Sequence, residues 1–139
     1  MNTESNKALM RRYYEQIWAK GDHAVETELV APNLVDHMPM PGMPQGIEGH
    51  RQTVDMVATA FPDRRFTYHD LIAEGDKVVG HWTMEATNSG PMMGMPASGK
   101  AVKMDGMDIA RWQNGKLVEL WHIEDIMTMM QQIGAVPSQ

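Results

Sequence analysis

Apolar positions recur every three or four residues at the start of the chain. Leu9, Met10, Tyr13, Tyr14, Ile17 and Trp18 form one face of a helix. Gly21 ends it, and Asp22 is a good N-cap for a short second helix carrying Val25 and Leu29. Ala31-Pro32-Asn33 stops that helix, and Leu34-Val35-Asp36-His37 reads as a short extended piece. A third helix is expected from about Ile47 to Phe61, where Val54, Val57, Ala58 and Phe61 keep the helical spacing and Pro62 terminates it. The rhythm then changes. Segments 64–74, 76–87, 100–112 and 116–124 are rich in β-branched and aromatic residues between turn signals, and read as strands. A last helix starts at Asp125 with the stripe Ile126, Met129, Met130 and Ile133, closed by Gly134 and Pro137.

Helices first, then consecutive antiparallel strands, then a short helix imply an α+β fold with helices packed on one face of a sheet. A strongly curved sheet leaves a hollow under the helices, where pockets form. The 139 residues read as a single domain, 1–139, of 42% hydrophobic and 22% charged residues. A net charge of -6 speaks against a nucleic-acid partner. No apolar run reaches the roughly 18 residues a membrane span needs, and the charged N-terminus lacks a signal peptide's apolar core. With no cysteine, thiolate and disulfide chemistry is absent. The expectation is a cytoplasmic protein.

Three stretches carry a family resemblance. The first is Asp36-His37, Pro41-Gly42 and Gly46-Ile47-Glu48-Gly49. The second is Phe61-Pro62-Asp63, Phe66 and Ala73-Glu74-Gly75-Asp76-Lys77-Val78. The third runs from Gly106-Met107-Asp108-Ile109-Ala110-Arg111 through Asn114-Gly115-Lys116-Leu117-Val118-Glu119-Leu120-Trp121 to Asp125 and Gln132-Ile133-Gly134. In this order they resemble the SnoaL-like polyketide cyclases (ester cyclases), a branch of the nuclear transport factor 2-like fold. The resemblance implies a cone-shaped α+β barrel, a deep pocket for a small hydrophobic molecule and a homodimer. It also implies ring closure by intramolecular aldol condensation with an acid/base side chain and no cofactor. Epoxide hydrolases, dehydratases, isomerases and non-catalytic binding modules share the scaffold, so the site must decide.

The two family positions that carry polar groups fall on Asp108 and His122, where the family commonly has Asp at the second. These are the catalytic candidates, His122 moving a proton near neutral pH and Asp108 either setting its tautomer or accepting a proton itself. Their geometry depends on the turn between the last two strands. A two-residue Asn114-Gly115 turn pairs Asp108 with Trp121 and puts Asp108 and His122 on opposite faces. A three-residue loop with Gly115 in a bulge pairs Gly106 with His122 and leaves Asp108 on the same face, about 7–8 Å away along the diagonal. The second register is favoured. It places Val118, Leu120, His122 and Glu124 toward the pocket. Leu117, Glu119, Trp121 and Ile123 then lie on an outer face suited to a second subunit.

Substrate-binding candidates are His37, which the resemblance sets at the pocket border, with Trp82, Tyr14, Met93 and Glu124. Arg111 lies opposite Asp108 by parity, which disfavours the carboxylate–Arg–carboxylate arrangement of the epoxide hydrolases. His37, His81, His122 and Glu124 have no recognised metal spacing, so no metal site is expected. His23, His50 and His69 read as solvated surface. The chain has 15 Met and 2 Phe. Met38, Met40 and Met43 in one loop, and Met92, Met93 and Met95 in another, suggest a soft apolar lid over the pocket.

Overall fold

The computed structural model describes residues 2–137. Asn2 caps helix α1 (Thr3–Arg12) by accepting from the Ser5 amide at 2.8 Å. The helix then widens into one π-helical turn, Tyr13–Trp18, that buries the consecutive Tyr13 and Tyr14 together with Ile17. An α-helical turn would splay adjacent side chains about 100° apart, and the wider turn brings both tyrosines to the core side. Asp22 caps α2 (His23–Leu29) through the Ala24 and Val25 amides. The chain passes from α2 directly into β1 (Val30–Asp36), so the strand starts earlier than the expected break at Ala31-Pro32-Asn33. Helix α3 spans Gly46–Ala60, followed by β2 (Arg65–Glu74), β3 (Lys77–Thr87), β4 (Ala101–Gln113), β5 (Lys116–Glu124) and α4 (Ile126–Gln132).

The sheet order is β1-β5-β4-β3-β2. The four later strands are antiparallel neighbours, as their sequence suggests. β1 joins the far edge parallel to β5, which makes the sheet mixed and not wholly antiparallel. Such a pairing across more than 80 residues leaves no trace in local periodicity. The sheet is curled with β1 and β2 as its edges, so it is an open cone and not a closed barrel.

Alternation is strict along β4, and along β3 only the buried Thr83 breaks it. Val78, Gly80, Trp82, Met84 and Ala86 face inward, as do Val102, Met104, Gly106, Asp108, Ala110 and Trp112. The core between the helices and this inner face includes Met10, Tyr13, Ile17, Leu29, Phe61 and Trp112. The outer face keeps Ile72, Met107, Ile109 and Ile123 exposed.

The β4–β5 hairpin differs from both expected registers. Asn114 (φ 52°) and Gly115 (φ 76°) form a two-residue turn with Gln113 opposite Lys116. A bulge follows: Trp112 pairs with Leu117 and Arg111 with Glu119, leaving Val118 as the extra residue. The bulge shifts the register by one, so Asp108 lies directly opposite His122 and Gly106 opposite Glu124. It also turns Leu117 inward with Leu120, so Leu117 leaves the outer set in which its parity had placed it.

Candidate functional site

Between the inner face of the sheet and the helices lies a cavity, with about 100 Å³ of it open to the centres of water molecules. Its wall is largely apolar and rich in sulfur: Met40, Met56, Met84, Met92, Met93, Met104 and Met129 line it with Val57, Phe61, Phe66 and Ile126. Polar groups converge from Tyr13, Tyr14, Asp36, His50, Trp82, Asp108, His122 and Glu124. A predominantly apolar hollow with a few convergent polar groups suits a small organic ligand.

Asp108 sits at mid-sheet. Its Oδ2 accepts from the Tyr14 hydroxyl at 2.7 Å and from Trp82 Nε1 at 2.9 Å. Among the described residues its Oδ1 takes no hydrogen bond. Burial raises the carboxyl pKa, the Tyr14 and Trp82 bonds and the His122 charge lower it, Glu124 raises it further, and the balance is about 6. Two glycines let these donors in. A Cβ on Gly80, opposite Asp108 on β3, would lie 1.9 Å from the Tyr14 hydroxyl oxygen. A Cβ on Gly106 would lie 2.1 Å from the Trp82 ring. Glycine inside a strand here marks the close approach of another group.

His122 is held between two carboxylates. Nδ1 donates to Glu124 Oε1 at 2.6 Å, and Nε2 donates to Asp36 at 3.0 and 3.1 Å. Burial lowers the imidazole pKa, but the bonds and charges of Asp36 and Glu124 raise it more, to about 10. In turn Asp36 is destabilised by burial, yet His122 and the Met38 amide hold it below the usual carboxylate range. The ring is therefore an imidazolium at neutral pH. Asp108 makes no hydrogen bond to it, so the expectation that Asp108 orients His122 is corrected: Asp36 and Glu124 hold its two N–H groups.

Tyr14, Trp82, Met93 and Glu124 reach the cavity wall as well. His37 does not. It stacks on Trp121 with ring centroids 4.6 Å apart, and its Nε2 bonds Glu119 at 2.7 Å on the outer face. The preceding residue, Asp36, faces inward, because neighbours on a strand point to opposite sides. His50, read as surface, is buried, sharing a hydrogen bond at Nδ1 with the buried Glu26 and another at Nε2 with Tyr13 Oη at 2.7 Å. A signal for it existed: His50, Val54, Val57 and Phe61 share one helical stripe. Tyr13 and Glu26 were also missed, and of the Asp36-His37 pair it is Asp36 that lines the cavity. The methionine loops divide. Met40, Met92 and Met93 line the cavity, whereas Met38, Met43 and Met95 do not.

Ligand atoms of Asp108, His122 and Glu124 lie within 4.8 Å of one another, a possible cation site by distance. The chemistry of the set does not fit, because both nitrogens of His122 already face carboxylate oxygens and an imidazolium has no lone pair to give. No lysine or arginine among the described residues lines the cavity. Arg111 lies outside, bonded to Asp76 and Glu119.

Comparison with known proteins agrees with this architecture. The family model described as SnoaL-like polyketide cyclase matches residues 8–133. TsrD from Streptomyces laurentii is 29% identical, with a TM-score of 0.87, 98% of this chain and 99% of that chain covered. IdmH from Streptomyces antibioticus, named as a candidate polyketide cyclase, is 31% identical, with a TM-score of 0.80 over 93% of this chain and 98% of its own. A further candidate polyketide cyclase, from Bacillus cereus, is 28% identical with a TM-score of 0.81, covering 92% of this chain and 79% of that one. No curated protein matches.

Proposed function

The chain belongs to the SnoaL-like polyketide cyclase family, and from that premise we propose that it is a cofactor-free acid–base catalyst of the cyclase type, acting on a small hydrophobic carbonyl compound. One observation carries the reading: a buried carboxylate with one oxygen anchored and the other unbonded, beside an imidazolium, in an apolar hollow. Asp108 Oδ1 takes a proton from a carbon next to a carbonyl. With a pKa of about 6 the carboxylate is ionised at neutral pH and still basic enough to accept. His122, a fixed cation, favours the negative charge that develops on the substrate oxygen. Of the two roles the sequence leaves open to Asp108, this is that of proton acceptor. In the family's ring closure the resulting carbanion attacks a second carbonyl of the same folded chain, and the apolar wall holds the two ends together.

The epoxide-hydrolase reading needs an arginine between two carboxylates, and the outward course of Arg111 weighs against it. A second copy of the chain is proposed to cover the exposed apolar outer face.

2-Tetralone, a small ketone with an acidic C–H, tests the chemistry. In D₂O the protein is expected to accelerate deuterium uptake at the α-carbon, followed by NMR. Asp108→Asn should lower that rate by about 10² or more, while the ketone still raises the melting temperature. Bound ketone that exchanges no faster than in buffer, or equally fast with Asp108→Asn, would leave a binding module and no enzyme.

A further inference from the structure

A second polar system reaches the same cavity from the helices. Asp55 Oδ1 meets His23 Nε2 at 2.7 Å, and His23 Nδ1 meets Glu26 Oε1 at 2.6 Å. The other oxygen of Glu26 meets His50 Nδ1, and His50 Nε2 meets Tyr13 Oη at 2.7 Å. Four hydrogen bonds therefore run without a break from the surface to the cavity wall. Side-chain exposure falls along the path from 67% at Asp55 to 42% at His23 and 0% at Glu26.

Two features set this chain apart from ordinary core satisfaction. Glu26 is fully buried, and its only ion-pair partners among the described residues are two imidazoles, with no lysine or arginine. Breaking up such a buried group is costly, so it persists as an intact unit. Every interior link is also a group that both takes and gives a proton: carboxyl, imidazole, phenol. His50 is further boxed in by Tyr13 and Trp18, with ring centroids at 5.5 and 5.2 Å, which fixes its ring.

We propose that Tyr13, His50 and Glu26 form a second acid–base group of this cavity, in which Tyr13 gives its phenolic proton to a substrate carbonyl oxygen and His23 with Asp55 exchanges that proton with solvent. The carbonyl substrate rests on the function proposed above; the proton path does not. The step balances as one proton. The Tyr13 O–H bond breaks as the substrate O–H bond forms. Tyr13 takes the Nε2 proton of His50, and His50 takes at Nδ1 the proton it shares with Glu26. The negative charge comes to rest on Glu26, which His23 neutralises with its Nδ1 proton, and a proton from solvent reaches His23 Nε2 through Asp55. Asp108 holds the C–H proton and Tyr13 serves the oxygen, so carbon and oxygen are handled by separate groups.

His23→Gln tests the path. Glutamine's amide N–H still donates to a carboxylate of the pair but relays no proton. In protein labelled with ¹⁵N-histidine, the His50 ring N–H proton shared with Glu26 should exchange with water at least tenfold more slowly in His23→Gln, at an unchanged melting temperature. An unchanged exchange rate overturns the proposal. With 2-tetralone, Tyr13→Phe should lower kcat for deuterium uptake at least tenfold with KM nearly constant; an unchanged kcat overturns the role of Tyr13. Slowed exchange in His23→Gln together with no ketone turnover by the unaltered protein supports the path and removes the cyclase-type reading instead.

Discussion

Asp108 and His122 face each other, yet burial and partners drive them to different jobs. Burial dominates at Asp108, whose pKa rises from 3.8 to about 6; two carboxylates dominate at His122, whose pKa rises from 6.5 to about 10. The proposed reaction needs Asp108 ionised and His122 protonated. The ketone exchange rate should therefore rise with a limb near pH 6 and fall with a limb near pH 10, and His122→Gln should abolish the upper limb. Stability follows the same groups. A raised folded-state pKa contributes fully below the unfolded value and fades as pH climbs through the folded one. His122 should thus stabilise the fold below about pH 6.5 and lose that effect toward pH 10, seen as a falling melting temperature that His122→Gln lacks. The sequence singled out this pair through family position, but not its roles. Those depend on Asp36, which β1 delivers from the opposite end of the chain, and on which of two adjacent residues, Asp36 or His37, points inward.

Three departures from regular elements build the site. The π turn presents Tyr13 to His50 and Tyr14 to Asp108 from consecutive positions. The Val118 bulge brings His122 opposite Asp108 although the turn has only two residues. Gly80 and Gly106 leave the space through which Tyr14 and Trp82 reach the carboxylate. Gly80→Ala should push the Tyr14 hydroxyl off Asp108, costing about 1–3 kcal/mol of stability, as overpacking does, and moving the lower limb of the pH profile upward because a bond that favours the carboxylate is lost. A melting curve and pH profile identical to the unaltered protein would show that the glycine is not needed there. Helix and strand positions were legible because their periodicity is local. The bulge and the π turn were not, since each is chosen by what packs across from it.

The molecule divides its polar chemistry between an enclosed inner face and an outer face where Ile72, Met107, Ile109 and Ile123 stay exposed. Apolar residues grouped on one sheet face mark an association surface. If a second copy covers it, light scattering at micromolar concentration should give twice the chain mass of 15.6 kDa, and Ile123→Glu should halve it while leaving ketone exchange in place. A monomer in the unaltered protein would sink the dimer. Strand parity placed Ile123 on the outer face correctly and Leu117 wrongly, because the bulge turns Leu117 inward. The cavity was readable only as a consequence of curvature, and the polar system behind its wall, from His50 to Glu26, lies on two helices whose contact no spacing announces.

Residue order alone settled the succession of helices and strands, the inward row along β4 that includes Asp108, and the family pattern, because each is written in neighbours three, four or two positions apart. Tertiary contacts settled the rest. They paired β1 with β5, slipped β5 by one residue, buried His50 beside Glu26 and fixed the charge of His122. Each of these depends on energies of burial and pairing between segments far apart in the chain, which exist only once the sheet has curled around them.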